Sequence, residues 1–404
     1  MSYQRLLINA FLISVVVIFL IALPAYVLSP FFRDSMGTSE SLEKTEALEK
    51  TEVEESQSES YVEIVDFAGR TVSVPRNITR IAAIGPGALR LVLYLGAIDL
   101  VVGVEEIEKT WTPGTPTGRD YLLAYYEILK GLPTIGPGGP GRPPNVELLV
   151  SVRPQVIVMS KLYMQFIDPD RLEQETGAKV IVIDYGEPGY LRLEDFKRAI
   201  TILGKALGKE ERALELIMYV ERVVLDLRAR TGAIEKRPSV YVGAVSYRGS
   251  QPFTSSQGQF VPLVLLNTPS IVDELSRGGF VSVDFEFIIK KQPELVFIDE
   301  NNLAIVLNDF KKDSRPYCSL FAFKENKVFG VLPYNHYHTN VATALANAYW
   351  MGKVLYPERF ADVDPVVKAN EIYSMFLGKP LYEEFVKNGL PGFTNLSDLF
   401  KCSS

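Results

Sequence analysis

From Leu6 to Phe32 the chain runs 27 positions without a charged residue, bounded by Arg5 and Arg33. As a helix this stretch would reach roughly 40 Å, more than the ~30 Å hydrocarbon core of a bilayer. A cleaved signal peptide competes with a retained anchor. Signal peptides, however, have apolar stretches of about 7–15 residues that end in a small-x-small site, and Ala22 and Ala25 make a poor one. The pattern favours a membrane anchor over residues 1–33, and no cysteine follows it to carry a bacterial-type lipid. The pattern then turns polar. Residues 34–60 hold nine Asp/Glu and two Lys, with the near-repeat LEKTEALEKTE at 42–52. Such a segment has too little apolar surface to fold alone and reads as an acidic linker.

Beyond Tyr61 the apolar positions change period. VEIVDF and RTVSVP flank Ala68-Gly69 and predict a hairpin. Continuous apolar runs follow at RIAAIG (80–85), LVVGV (100–104), QVIVM (155–159), KVIVID (179–184), SVYVGAVS (239–246), ELVFID (294–299) and KVFGVL (327–332). Helical periodicity lies between most of them, which predicts parallel sheets covered by helices on both faces. Residues 191–231 contain no proline and keep helical periodicity throughout, which predicts one long connecting helix, with Gly204 and Gly208 as places where it could bend or divide.

A quasi-repeat divides the rest. Asn145-Val-Glu147 through Pro154 and then QVIVM aligns with Asp284-Phe-Glu286 through Pro293 and then ELVFI, at an offset of 139 residues. Each copy reads as an N-capped short helix with a glutamate in its first turn, ended by proline before a buried strand. The expected architecture is α/β: two Rossmann-like lobes, at 61–190 and 232–404, joined by the 191–231 helix and preceded by the transmembrane helix and acidic linker.

Net charge, −7 overall, is concentrated in the linker; residues 61–404 hold 38 basic against 40 acidic side chains. No basic face of nucleic-acid-binding strength results. Two cysteines, Cys318 and Cys402, are too few for a thiolate metal cluster. Outside the cell they admit a disulfide, although Cys402 stands in a tail expected to fray. His336 and His338 are the only histidines, which leaves little material for general-base catalysis, and no phosphate loop, HExxH or G-x-S-x-G motif appears. An enzyme is not expected.

The order VDFAGRTVSVPRNITRIAAIGPGALRLVLYLGAIDLVVGVEE (65–106), the repeated helix-proline-strand unit and the single long linking helix together resemble the class III substrate-binding proteins of ABC importers. Those receptors serve ferric siderophores, haem and cobalamin. GAVSYRG (243–249) and LPYNHYHTNVATALANAYWMGKVLYP (332–357) are similar to an iron-complex branch of that family. The resemblance implies two rigid lobes, a cleft between them and a small closing motion. It further implies that Glu147 and Glu286 dock on a permease, which works with its ATPase. The expected protein is a monomeric, single-pass, membrane-anchored extracellular receptor that delivers an iron complex and holds no permanent cofactor. A receptor for a bare metal ion and a surface module for a glycan or protein are the alternatives.

Ligands of open α/β lobes meet the loops at the carboxyl ends of the strands. In the first lobe this points to Pro86, Gly87 and Arg90, where glycine allows close approach and a helix start offers free N–H groups. Arg90 either grips acidic oxygens or lies on the helix's solvent face. Tyr163, with Met164 beside it, is a weaker candidate. The G-x-G-x-x-G match at Gly136–Gly141 lacks the surrounding strand and acidic residue of a dinucleotide site and reads as a rigid cleft loop. In the second lobe Tyr247 and Arg248 offer an aromatic face and a guanidinium suited to a planar acidic chelate. Tyr334, Asn335, His336, Tyr337 and His338 form the densest polar-aromatic cluster. The two histidines would share a face if extended and provide at most two metal ligands; hydrogen bonding at a cleft rim is the other reading.

Overall fold

The structure, a computed structural model, describes residues 60–402 except Pro140 and Arg277. The expected anchor, and the linker up to residue 59, lie outside the described residues. Among the described residues no helix is long and apolar enough to cross a membrane.

Strands β1 (Tyr61–Val65) and β2 (Thr71–Pro75) pair antiparallel, with Val62, Ile64, Val72 and Val74 turned inward by the two-residue period. The first lobe follows: β3 (Ile81–Ile84), α1 (Ala88–Tyr94), β4 (Val101–Gly103), α2 (Asp120–Leu129), α3 (Val146–Ser151), β5 (Val156–Ser160), α4 (Pro169–Thr176) and β6 (Lys179–Ile183). Its sheet is parallel in the order β4-β3-β5-β6. Every residue of β3 and β5 is buried, as continuous apolar strands covered on both faces must be. The chain leaves β3 for β4 on one side and returns to β5 on the other, so the carboxyl end of β3 is a topological switch point. After β6 a short tongue forms from β7 (Gly186–Glu187) and β8 (Tyr190–Leu191).

The connecting segment departs from the single helix expected. It forms α5 (Leu193–Leu207) and α6 (Glu210–Thr231), separated by Gly208 in the left-handed region at φ 64°. The two helices pack on one another, and a β-carbon on Gly204 would fall 2.5 Å from that of Ala213. Gly208 divides the segment because a left-handed residue ends a helix, and Gly204 lets the second helix fold back closely. Only α6, 22 residues or roughly 33 Å, leads to the second sheet.

The second lobe contains β9 (Val240–Gly243), β10 (Ser255–Gly258), α7 (Val261–Leu265), β11 (Gly279–Ser282), α8 (Phe285–Lys291), β12 (Leu295–Asp299), α9 (Leu303–Lys312), α10 (Arg315–Cys318), α11 (Phe321–Lys324) and β13 (Val328–Val331). Its parallel sheet runs β13-β12-β9, and β10 pairs antiparallel with β11. Strand β9 stops at Gly243, short of the expected 239–246. The paired repeat takes the form read from sequence: Asn145 caps the Leu148 N–H at 2.9 Å and Asp284 caps the Phe287 N–H at 2.6 Å.

The last three helices are α12 (Val341–Leu355), α13 (Pro365–Leu377) and α14 (Tyr382–Lys387). The first of them packs on α7 of the second lobe, within the expected 232–404, while α13 and α14 also reach across to the first. Phe376 meets Tyr94 edge-on at 4.8 Å, the Tyr125 hydroxyl donates to the Leu377 carbonyl at 2.9 Å, and the Gly114 N–H donates to Asn388 Oδ1 at 2.6 Å. One hydrophobic core thus runs through Tyr94, Leu203, Val242, Val331 and Phe376. Cys318 and Cys402 are disulfide-bonded, with their Cα atoms 5.5 Å apart. The tail does not fray there, because Phe400 is buried against Phe310 and Phe323 in a second core.

Candidate functional site

A cavity of about 580 Å³ opens where the carboxyl-end loops of both parallel sheets face each other. Pro86 reaches it from the end of β3, Tyr163 and Phe166 from β5, and Glu187 with Pro188 from the tongue after β6. From the other side come Tyr247 and Arg248 after β9, Phe280 on β11, and Asn335, Tyr337 and His338 after β13. Gly139 and Gly141 of the glycine-rich loop complete the wall, as expected of a cleft loop.

The aromatic wall is ordered by stacking. The Tyr247 ring lies on Phe280, centroids 4.5 Å apart and planes 16° from parallel, and the Arg248 guanidinium stands 5.3 Å from the Tyr247 centroid. Arg248 is exposed and has no ion-pair or hydrogen-bond partner among the described residues. The loop that carries this pair is fixed from beneath: the buried Asp299 carboxylate accepts the Ser246 N–H at 3.0 Å, and Asn335 Nδ2 donates to the Ser246 carbonyl at 2.6 Å. Burial raises the Asp299 carboxyl to about 6. Non-glycine residues with positive φ gather here: Ala244 at 58°, Arg248 at 49°, Tyr337 at 53° and His338 at 77°. Left-handed backbone at such residues costs of order 1–3 kcal/mol each and persists where surrounding contacts impose it.

Beneath the floor lies Glu105, one residue past the bridge that continues β4. Its carboxylate accepts the Tyr163 hydroxyl at 2.8 Å, the Tyr337 hydroxyl at 2.6 Å and the Gly85 N–H at 3.0 Å. Tyr163 and Gly85 belong to the first lobe and Tyr337 to the second. Burial outweighs these hydrogen bonds and lifts the Glu105 carboxyl to about 7. The Gly139 N–H donates in turn to the Tyr337 oxygen at 3.1 Å.

Other expected residues sit elsewhere. Arg90 neither touches a ligand space nor lies on a solvent face; it is fully buried. Its guanidinium donates to Asn340 Oδ1 at 3.0 Å, the Tyr185 hydroxyl at 2.9 Å and the His336 carbonyl at 2.9 Å, with Asp120 at 3.6 Å. A seven-residue α1 packed between the lobes has no solvent face on which to carry it. Gly87 is likewise structural. At φ 84°, with the Tyr185 hydroxyl 2.3 Å from the point a β-carbon would occupy, it makes room for that ring. Tyr334 is buried and donates to the Gly189 carbonyl at 3.0 Å, behind the cavity wall.

The histidines do not share a face, because positive φ at residues 337 and 338 interrupts any extended alternation. His338 lines the cavity, packed on Tyr185 at 4.1 Å, and its Nδ1 accepts the Thr339 N–H at 2.9 Å. His336 is turned away, with Nδ1 accepting the Gly118 N–H at 3.0 Å. Burial depresses both imidazoles to about 3, aided at His336 by Arg119 and Arg90 and at His338 by Arg90. Among the described residues no group of three or more His, Cys, Asp or Glu side chains converges to hold a metal ion. Glu147 and Glu286 stand exposed in the first turns of α3 and α8, without ion pairs among the described residues.

Sequence reasoning missed Glu105, Glu187 and Phe280. The carboxyl-end rule that selected Pro86 would have selected Glu105 and Glu187 had it been applied to β4 and β6. Phe280 follows Gly278-Gly279 in a strand with no apolar alternation to mark it.

Residues 81–333 match the family model described as periplasmic binding protein. A molybdate-binding protein of Haemophilus influenzae is 23% identical over 339 residues, covering 78% of this chain and 90% of its own. Among solved structures, a periplasmic solute-binding protein of Veillonella parvula superposes with TM-score 0.64 at 19% identity, covering 84% of this chain and all of its own. The periplasmic haem-binding protein of Vibrio cholerae superposes with TM-score 0.52 at 18% identity, covering 70% of this chain and all of its own. At these identities the two structures speak for the fold alone.

Proposed function

The chain belongs to the periplasmic binding protein family, the non-enzymatic solute receptors of ABC transporters, and on that premise we propose that it captures an iron chelate or related metal complex. The observation that carries this reading is the Tyr247–Phe280 stack with the unpaired Arg248 beside it. A flat aromatic surface next to a free guanidinium suits a planar, acidic, metal-bearing ligand. A volume of about 580 Å³ also falls in the roughly 300–1,000 Å³ range of pockets for drug-sized ligands. Tyr163, Asn335, Tyr337 and His338 complete the contact surface. Delivery goes to a permease and its ATPase, with Glu147 and Glu286 as the docking carboxylates, and the 1–33 segment tethers the receptor to the outer face of the membrane.

The Haemophilus relative favours a second reading, an oxyanion ligand of the molybdate type. The two separate by thermal shift of the protein against ferric hydroxamate, ferric catecholate, haem, molybdate, Fe³⁺ and Zn²⁺. A specific ligand at about 100 times its Kd adds about 2.7 kcal/mol of stability and raises the melting temperature visibly. A shift with a chelate and none with bare ions supports the chelate reading. A shift with molybdate alone replaces it with the second.

A further inference from the structure

The charged and polar side chains around the cavity are unequally divided between its walls. On the first-lobe side stand the Glu187 carboxylate and Gln165. Glu187 is exposed and meets no cation among the described residues, and Gln165 spends its Nε2 on the Leu162 carbonyl at 2.8 Å, leaving Oε1 to accept. On the second-lobe side stand Arg248 and the Tyr247 hydroxyl, both able to donate and neither engaged by another polar group. Between them, Asn335 Nδ2 is held by the Ser246 carbonyl, so this amide also presents an acceptor. The floor adds no free hydroxyl, because Tyr163 and Tyr337 both donate to Glu105.

Glu187 is not on a loose loop. The tongue that carries it is clasped by the opposite lobe: the Gly189 N–H donates to Thr339 Oγ1 at 2.9 Å, and the Gly189 carbonyl accepts the Tyr334 hydroxyl at 3.0 Å and Gln257 Nε2. A first-lobe carboxylate is therefore positioned by second-lobe contacts, and it faces the cavity without a neutralising partner. A fully anionic ligand is drawn to Arg248 and repelled by Glu187. A ligand with an acidic edge and a separate donor-bearing edge satisfies both.

Resting on the chelate reading above, the geometry points to an amphoteric ligand, bound in one orientation, with its ammonium, amide or hydroxyl donors on Glu187 and its acidic edge on Arg248. Glu187 is the specificity-determining residue: it rejects ligands that present only acceptors.

The test is isothermal titration of the full chain and of Glu187→Gln and Arg248→Gln with three probes. These are ferrioxamine B, which carries a free ammonium, its N-acetylated counterpart with the same iron centre, and an iron tris-catecholate that is anionic all round. The expected result is that the wild type prefers the ammonium-bearing chelate about tenfold over the acetylated one, the scale of one hydrogen bond to a charged group. Glu187→Gln should erase that preference and strengthen tris-catecholate binding, while Arg248→Gln should weaken the tris-catecholate most. Chelates that bind with no preference, or with one that Glu187→Gln leaves unchanged, overturn this inference and leave the chelate reading standing. No binding of any chelate to folded protein overturns both.

Discussion

The Tyr337 hydroxyl donates to the Glu105 carboxylate across 2.6 Å, joining the loop after β13 to the loop after β4 directly beneath the cavity. Burial of that carboxyl, which outweighs the bond, makes stability depend on its protonation. The folded state holds the proton up to about pH 7, against about 4.5 for a glutamate in the unfolded chain. The stability linked to it is therefore full below about 4.5 and is lost as pH rises through 7, at about 1.4 kcal/mol per unit. Glu105→Gln cannot titrate. Between pH 5 and pH 8 its unfolding free energy should improve relative to wild type by about 2–3 kcal/mol, read from urea melts at the two pH values. A constant difference between the two proteins would remove Glu105 as the titrating group.

Arg90 ties α1 to the segment after β13 through fully buried contacts. Replacing it with methionine leaves Asp120, also fully buried, without its cation. The expected loss is about 3–5 kcal/mol, the cost of breaking a buried pair from one side. Arg90→Met with Asp120→Asn should recover part of it, and a double-mutant cycle in denaturant checks the coupling.

Phe280 backs the Tyr247 ring. Phe280→Ala removes a stacking contact worth about 0.5–1.5 kcal/mol and frees Tyr247 to rotate. Affinity for the chelate that shifts the melting temperature should fall about threefold to tenfold by titration. Because both rings are only half-buried, the unliganded melting temperature should move little.

The Cys318–Cys402 bond closes an 84-residue loop, which the chain-entropy argument values at about 4.5 kcal/mol. Replacing both cysteines with serine should lower stability by about 2–5 kcal/mol and loosen Phe400. Ligand affinity should be unchanged, since the pair packs in the second core rather than on the cavity. A loss of affinity equal to the loss of stability would place the tail in the binding mechanism.

Glu147→Arg and Glu286→Arg should leave ligand binding and the melting temperature near wild type, because both side chains are exposed. Uptake through the partner permease, followed with radiolabelled chelate in membrane vesicles, should fall with either reversal. Undiminished uptake would leave these carboxylates as helix-terminal charges only.

The two sheets were legible because each parallel strand is a continuous apolar run, and the paired capping units because Asn145 and Asp284 sit at matching positions before proline-terminated helices. The antiparallel pair β10–β11 was not, since Ser255, Ser256 and Gln257 are buried by hydrogen bonds and close packing rather than by apolar character. Whether 191–231 runs on or divides was left open at Gly204 and Gly208, because periodicity carries no information about φ, and the division falls at Gly208. At the site, residue type identified Tyr163, Tyr247, Arg248, Asn335, Tyr337 and His338, all of which border the cavity. It could not separate them from Arg90, Tyr334 and His336, which differ by burial and direction. Those properties arise from contacts between segments up to 250 residues apart, such as Arg90 with Asn340.

The packing of α13 and α14 on the first lobe sets the order in which the chain can be completed. Until residues 365–388 arrive, the surfaces of Tyr94, Tyr125 and Gly114 that they cover face solvent. The half of the molecule that is synthesised first therefore cannot finish folding until that late segment has been made. A nascent chain remains an incomplete intermediate, with apolar surface exposed, until residues 365–388 have been made. Loss of residues 365–388 accordingly injures the lobe farthest away in sequence as well as the one beside it.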